Sequence, residues 1–208
     1  GYTQTALLSG KPVLNKPILI NSLADYQQVF GGAPDPLFRL EEVTDTTKQK
    51  AGDYDFKVYD AATPTWKYYN LTNSTGTQFN LFNSLRLFYA NGGGTAYIVS
   101  VGDYTATLGA EALKGGLDVI AEQVGPTMLV VPDAVNLTTL ADYQKVSSKM
   151  LDQCGQLKDR VALLDVWGSA TVTKDTLTQV ITDYRGILGD KFLNYGMAYF
   201  PFLHTSVQ

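Results

Sequence analysis

The chain has 208 residues, 45% of them hydrophobic and 17% charged, which is enough to build one substantial hydrophobic core. Its net charge of −4 and its scattered basic residues exclude a surface built for nucleic acid or an anionic membrane, since both need clustered Lys and Arg. The single cysteine, Cys154, excludes an internal disulfide bond, and no apolar stretch is long enough to predict a transmembrane helix.

The first forty residues predict short elements. Strands are expected over residues 1–8 (GYTQTALL) and 16–20 (KPILI). A helix is expected over 21–32, with Asn21 or Ser22 as its N-cap and two glycines at its end, because apolar residues recur there at helical spacing. Since the chain opens inside the first strand and stops without a terminating signal, we expect a piece of a longer protein.

Residues 41–78 differ in character from the rest, being polar and rich in Thr. Two alternating segments, 54–60 and 65–72, flank a turn-forming stretch and predict a β-hairpin, which we expect to be solvated rather than to bind a ligand. We therefore predict two parts. One is a variable, β-rich insertion over 41–78, and the other is a single α/β domain built from 1–40 and 79–208.

From residue 79 onwards, helical and extended patterns alternate four times. The expected helices cover residues 79–94, 109–125, 139–155 and 173–189, and the expected strands cover 95–102, 126–135, 160–168 and 194–203. Each strand is a continuous apolar run, as in strands that are buried on both faces. The pattern predicts an α/β fold, a mainly parallel, doubly wound sheet with flanking helices on each side.

Three consecutive glycines, Gly92–Gly94, stand beside an apolar run and at first suggest a phosphate-binding loop. Phosphate loops run from a strand through glycines to a helix, because the free N–H groups of a helix N-terminus bind the anion. Here the glycines follow a helix and lead into a strand, and the chain contains neither G-x-x-x-x-G-K-[ST] nor G-x-G-x-x-G. We expect them to end the helix and turn the chain.

Three aspartates follow predicted strands, where α/β proteins often carry their chemistry: Asp103, Asp133 and Asp165. Aspartates there can hold a metal ion or orient a histidine, but they also cap helices and turns, and we favour the capping role. The only histidine is His204, no serine lies in a G-x-S-x-G elbow, and Cys154 lies on an apolar helix face without a partner thiol. No residue is therefore predicted to be catalytic, to bind a cofactor or to bind a metal.

The residue patterns leave two classes of function open at this point. One is a hydrolase-like α/β enzyme that uses Asp133 or Asp165 together with His204. The other is a nucleotide- or sugar-binding module at the point where the strand order of the sheet reverses. No residue pattern in the chain favours the second class.

Six stretches of the chain, in order, carry a resemblance to a known family. They are "GYTQTA", "LNKPILINSLADYQQVFGG", "LFNSLRLFYANGGGTAYIVSVGDY", "LKGGLDVIAEQVGPTMLVVPDAV", "RVALLDV" and "LNYGMAYFPFLHTSV". They resemble the tail sheath proteins of contractile phages, and most closely the sheaths of phage-tail-like contractile injection systems. "NSLRLFYANGGGTAYIVSVG" and "YGMAYFPFL" are the most specific parts. The resemblance covers almost the whole chain and is weakest over 41–78, where such sheaths vary most.

The resemblance implies a structural subunit and not an enzyme. Sheath subunits assemble helically around an inner tube and contract to drive that tube through a target envelope. Their central domain is often described as subtilisin-like in fold, and they carry terminal arms that add strands to neighbouring subunits and a further C-terminal domain. By this resemblance the chain is the outer part of a subunit, and residues 1–208 alone are expected to fold without polymerising.

The resemblance also implies partners and a location. The partners are other copies of the subunit in a helical homo-oligomer, the inner tube protein, and baseplate and cap proteins. No nucleic acid partner and no membrane insertion are implied. The subunit is expected to assemble in the bacterial cytoplasm and to be a component of a phage tail or an extracellular phage-tail-like particle.

Overall fold

The computed structural model describes residues 1–35, 38–73, 79–169, 172–202 and 205. The chain divides into two compact units: a larger unit, Gly1–Pro34 with Gln78–Gln208, and a small unit, Asp35–Thr77. In chain order the strands are β1 (Leu7–Leu8), β2 (Lys11–Pro12), β3 (Ile18–Ile20), β4 (Phe38–Glu42), β5 (Phe56–Asp60), β6 (Thr65–Asn73), β7 (Ala96–Ile98), β8 (Met128–Val130), β9 (Val161–Asp165) and β10 (Gly196–Tyr199). The helices are α1 (Leu23–Phe30), α2 (Thr46–Ala51), α3 (Leu81–Ala90), α4 (Ala110–Ala121), α5 (Leu140–Leu157) and α6 (Leu177–Leu188).

A three-stranded parallel sheet with the order β10-β9-β8 forms the centre of the larger unit. The strands lie in the sheet in the same order as in the chain, so right-handed crossovers through α5 and α6 place both helices on one face. Leu129, Ala162 and Leu164 are buried on that face, in one core cluster with apolar residues of α4, α5 and α6. Each fully buried Leu contributes about 1.5–3 kcal/mol to stability.

The predicted strand at residues 95–102 does not join this sheet. It is observed as β7, which pairs antiparallel with β3 in a separate two-stranded sheet, with Ile18 opposite Ile98. Of the predicted strand 1–8, only Leu7–Leu8 is a strand, while Thr3 forms one parallel bridge to Asp103. The described residues thus contain no doubly wound sheet, because an apolar run shows that a strand is buried but not which strand it pairs with.

A second core cluster lies between α1, α3 and the β3–β7 pair, and Ile98 of β7 is buried in it. Tyr26 and Phe30 of α1 pack there with Phe82 of α3. The hydroxyl of Ser22 caps α1 by accepting a hydrogen bond from the Asp25 N–H at 3.1 Å, which confirms the expected start of this helix.

The small unit is an antiparallel sheet with the order β4-β6-β5, to which α2 is added. The β5–β6 pair is the hairpin predicted from the alternating segments. The predicted insertion began at residue 41, whereas β4 begins at Phe38 and pairs with β6, so the small unit begins earlier, at Asp35. The segment "FRLEE" is too short to signal by itself which unit it belongs to. Residues 74–78, at the other predicted boundary, lie outside the described residues.

Candidate functional site

The aspartates singled out in the sequence lie in three different environments. Asp133 is fully buried, Asp165 is half-buried at the end of β9, and Asp103 is exposed in a turn. His204, the histidine that the hydrolase hypothesis needs, lies outside the described residues.

Asp133 lies in a 3₁₀ turn, Pro132–Asn136, that directly follows β8. One carboxylate oxygen accepts hydrogen bonds from the N–H groups of Asn80 at 2.6 Å and Leu81 at 3.2 Å, at the N-terminus of α3. The other accepts the N–H of Tyr2 at 2.8 Å. Both oxygens of this buried carboxylate are therefore used to hold backbone, which supports the capping role.

Asp103 caps a turn. Its carboxylate accepts hydrogen bonds from the N–H of Thr105 at 2.8 Å and from the hydroxyl of the same residue at 2.6 Å. The Thr105 hydroxyl and N–H lower the pKa of Asp103, because both donors stabilise the charged form. Asp103 is a structural turn residue, as the sequence suggested.

Asp165 differs from the other two, because its carboxylate has no hydrogen-bond or ion-pair partner among the described residues. Its backbone carbonyl accepts the hydroxyl proton of Tyr143 at 2.6 Å, which fixes the main chain. Burial raises the pKa of Asp165 above its ordinary value.

A cleft of about 290 Å³ lies beside Asp165, at the carboxyl ends of β8 and β9. Its lining combines polar side chains with apolar walls, and the described residues that form it are Asn80, Asn83, Ser84, Leu87, Pro132, Val135, Asp165, Phe202 and Thr205. This is where α/β sheets commonly bind ligands. The sequence pointed to Asp165 but not to α3, which reaches the cleft because Asp133 holds its N-terminus there.

Cys154 is fully buried in α5. Burial raises the pKa of its thiol to about 11, so the reactive thiolate is scarce at neutral pH. Within the part of the chain that the structure describes, no group of three or more His, Cys, Asp or Glu is placed to hold a metal ion. In the same part, no helix combines the length and the apolarity needed to cross a membrane.

The glycines at residues 92–94 form the connection from α3 to β7, as predicted. Gly92 has a φ of +81°, in the left-handed region, and its N–H bonds to the carbonyl of Tyr89 at the end of the helix. A side chain at Gly93 would overlap the ring of Phe88. The loop follows the carbonyl end of a helix, where the dipole disfavours an anion.

The second face of the parallel sheet is apolar and largely uncovered. The register places Val130, Leu163 and Met197 side by side on this face, opposite to the helices. Exposure is 55% for Met128, 53% for Val130, 40% for Met197 and 56% for Tyr199. We call Met128, Val130, Leu163, Met197 and Tyr199 the open face. Parallel sheets are normally covered on both faces, so an open face of this kind marks a contact surface.

No protein-family model matches the chain, and no curated protein matches it. The sheath resemblance therefore depends on the sequence stretches quoted above.

Proposed function

We propose that the chain is part of a structural subunit of a contractile tail sheath. The observation that carries the proposal is the open face. Its exposed apolar side chains would stabilise the protein only when another surface buries them. A subunit that exists in contact with many copies of itself meets that requirement. The sequence resemblance supplies the type of assembly, a helical tube around an inner tube.

In this proposal the sheath drives the inner tube by changing the contacts between its subunits. Heterologous contacts repeated along a helix generate an open tube of many copies. Packed interfaces tend to have discrete arrangements, so a sheath held in an extended, higher-energy packing can switch to a lower-energy one. The partners are other copies of the subunit, the inner tube protein, and baseplate and cap proteins. The site of action is a phage tail or an extracellular phage-tail-like particle, assembled in the bacterial cytoplasm.

The hydrolase alternative is weakened at one of its residues. Asp133 already uses both carboxylate oxygens as acceptors for backbone N–H groups. Of the two carboxylates that the hydrolase alternative proposes, only that of Asp165 has no partner among the described residues. The histidine it needs, His204, lies outside those residues.

Negative-stain electron microscopy tests the sheath proposal. The gene product that contains this chain would be expressed alone and then together with the products of neighbouring genes. Striated hollow tubes of uniform width are the expected result. Dispersed particles in both preparations would contradict the proposal.

A further inference from the structure

The cleft beside Asp165 has a lining that the sheath proposal does not require. Its volume of about 290 Å³ lies at the lower end of the roughly 300–1,000 Å³ of small-molecule sites, so it has room for one small group. We propose that this cleft binds a single organic cation, a guanidinium or ammonium group on a short apolar stem.

Among the described residues, the charge of the cleft comes from one side chain. Asp165 is the only ionisable side chain in that part of the lining, and no described Lys or Arg pairs with it. Its charged form is partly removed from water without a compensating partner, which is why its pKa is raised. A bound cation would offset that desolvation cost directly.

The hydrogen-bond acceptors of the cleft also suit a ligand that carries hydrogen-bond donors and no acceptors. The side-chain amide of Asn80 donates to the carbonyl of Pro132 at 3.1 Å, which leaves its oxygen as an acceptor. Asn83 and Ser84 also line the cleft, and each has an oxygen that can accept a hydrogen bond in addition to its own donor group. Ammonium and guanidinium groups carry donors and no acceptors, so they match this set of oxygens.

The N-terminus of α3 is the one feature of the cleft that opposes a cation, because a helix N-terminus carries partial positive charge. That charge is already compensated. The carboxylate of Asp133 accepts the N–H groups of Asn80 and Leu81, at the start of the helix.

The apolar part of the lining selects an organic cation over a metal ion. Leu87, Val135 and Phe202 form walls that suit a methylene stem, as Lys and Arg stems pack on apolar surface. An aromatic ring such as that of Phe202 also attracts cations. A divalent metal ion, by contrast, prefers several carboxylate or carbonyl oxygens, and the described lining offers one carboxylate.

Such a cation has two possible sources. One is a free small molecule, and the other is a Lys or Arg side chain of a second copy of this chain. The register pairs Asp165 with Tyr199 of the open face, so the cleft adjoins the surface where a second copy is proposed to dock. The ligand chemistry itself does not depend on the sheath proposal.

The test uses N-acetyl-arginine amide as the cation and N-acetyl-citrulline amide as its neutral isostere, titrated into isotopically labelled protein and followed by NMR. We expect saturable shifts around Asp165 with the arginine compound, and at least tenfold weaker binding of the citrulline compound. The side-chain carboxyl pKa of Asp165, measured by ¹³C NMR, should fall when the arginine compound is bound, because a neighbouring cation favours the charged form.

Two variants and one control complete the test. Asp165→Asn should weaken binding at least tenfold, whereas Asp175→Asn, which removes an exposed carboxylate, should leave it unchanged. Ser84→Lys places a cation in the cleft and should also abolish binding, so the result does not depend on one variant folding. Equal binding of the two compounds, equal effects of the two Asn variants, or no binding overturns the proposal.

Sedimentation velocity separates the two sources. If a second copy supplies the cation, self-association of the protein should weaken with added N-acetyl-arginine amide and with Asp165→Asn. If self-association is absent or unaffected while NMR shows binding, the cation is a free molecule. Failure to bind the arginine compound would leave the electron-microscopy test of the sheath proposal untouched, so the two proposals fail separately.

Discussion

At the residue scale, one buried carboxylate connects three segments that are far apart in the chain. Asp133 follows β8, accepts the N–H of Tyr2 near the start of the chain, and accepts two N–H groups at the start of α3. Hydrogen bonds to a charged acceptor are stronger than neutral ones, and each buried donor left without its partner carries its own desolvation cost. This residue therefore positions both the N-terminal segment and one wall of the cleft.

We expect Asp133→Ala to lower the free energy of unfolding by about 3 kcal/mol or more, because it leaves three N–H groups without an acceptor. Asp133→Asn keeps the shape and one acceptor oxygen and should cost less. Both are measured by urea unfolding monitored by circular dichroism. The control is Asp103→Ala, which removes an exposed turn cap and should change stability little. Equal stability of Asp133→Ala and the parent chain would contradict the anchoring role.

The sequence identified these aspartates as candidates and favoured a capping role for all of them, but it could not distinguish one from another. Asp133 and Asp165 were candidates for the same reason, because each follows an apolar run. Their difference arises from tertiary contacts, since α3 delivers N–H groups to one of them and none to the side chain of the other. Asn83 and Ser84 carried no signal, because short polar residues on a helix surface are usually solvated.

At the element scale, the helices of the larger unit follow from hydrophobic periodicity, while the strands are less predictable. The helix expected over 139–155 is observed as Leu140–Leu157. The strand expected over 126–135 is observed only over Met128–Val130, because Pro132 begins a 3₁₀ turn. A helix is specified by its own sequence over many turns, whereas a strand also needs a partner that the local sequence does not name.

The contact between α5 and the segment before β10 gives an element-scale prediction. Phe192 has a φ of +55°, a left-handed conformation that costs a bulky residue about 1–3 kcal/mol, and its ring lies against Gly155 of α5. A side chain at position 155 would overlap that ring. Glycine is therefore required at this position because the ring of Phe192 leaves no room for a side chain, and not because of its own backbone conformation.

We expect Gly155→Ala to lower the free energy of unfolding by about 1–3 kcal/mol, the usual cost of overpacking. In an open helical position the same change raises stability by about 0.5–1 kcal/mol. Gly115→Ala in α4 is the matched control, because no atom lies within 4 Å of the added methyl group. Thermal and urea unfolding of the two variants should give opposite signs, and a stabilised Gly155→Ala would show that the ring of Phe192 moves freely.

At the scale of the whole molecule, the sequence indicated that helices and strands alternate, but not which strands belong to the same sheet. A mainly parallel, doubly wound sheet with helices on each side was expected. The described residues have three parallel strands with helices on one face, and a separate antiparallel β3–β7 pair. Apolar strand residues predicted burial on both faces, and Val130 and Met197 are instead exposed. That difference leaves an apolar surface available for contact, which the proposed sheath assembly would cover.

The open face gives the prediction that bears most directly on assembly. Val130→Lys places a charge on this face, on the edge strand β8, and since Val130 is 53% exposed, we expect the subunit itself to lose no more than about 0.5 kcal/mol of stability. In a tube that buries this face, the unpaired charge would be desolvated, so tubes should be absent or far fewer by electron microscopy. Val124→Lys is the control, because Val124 is 90% exposed and lies in the connection between α4 and β8, outside the residues of the open face. If the gene product carrying Val130→Lys formed tubes as readily as the one carrying Val124→Lys, the open face would not be a subunit contact. The proposal would then lose the structural observation that carries it.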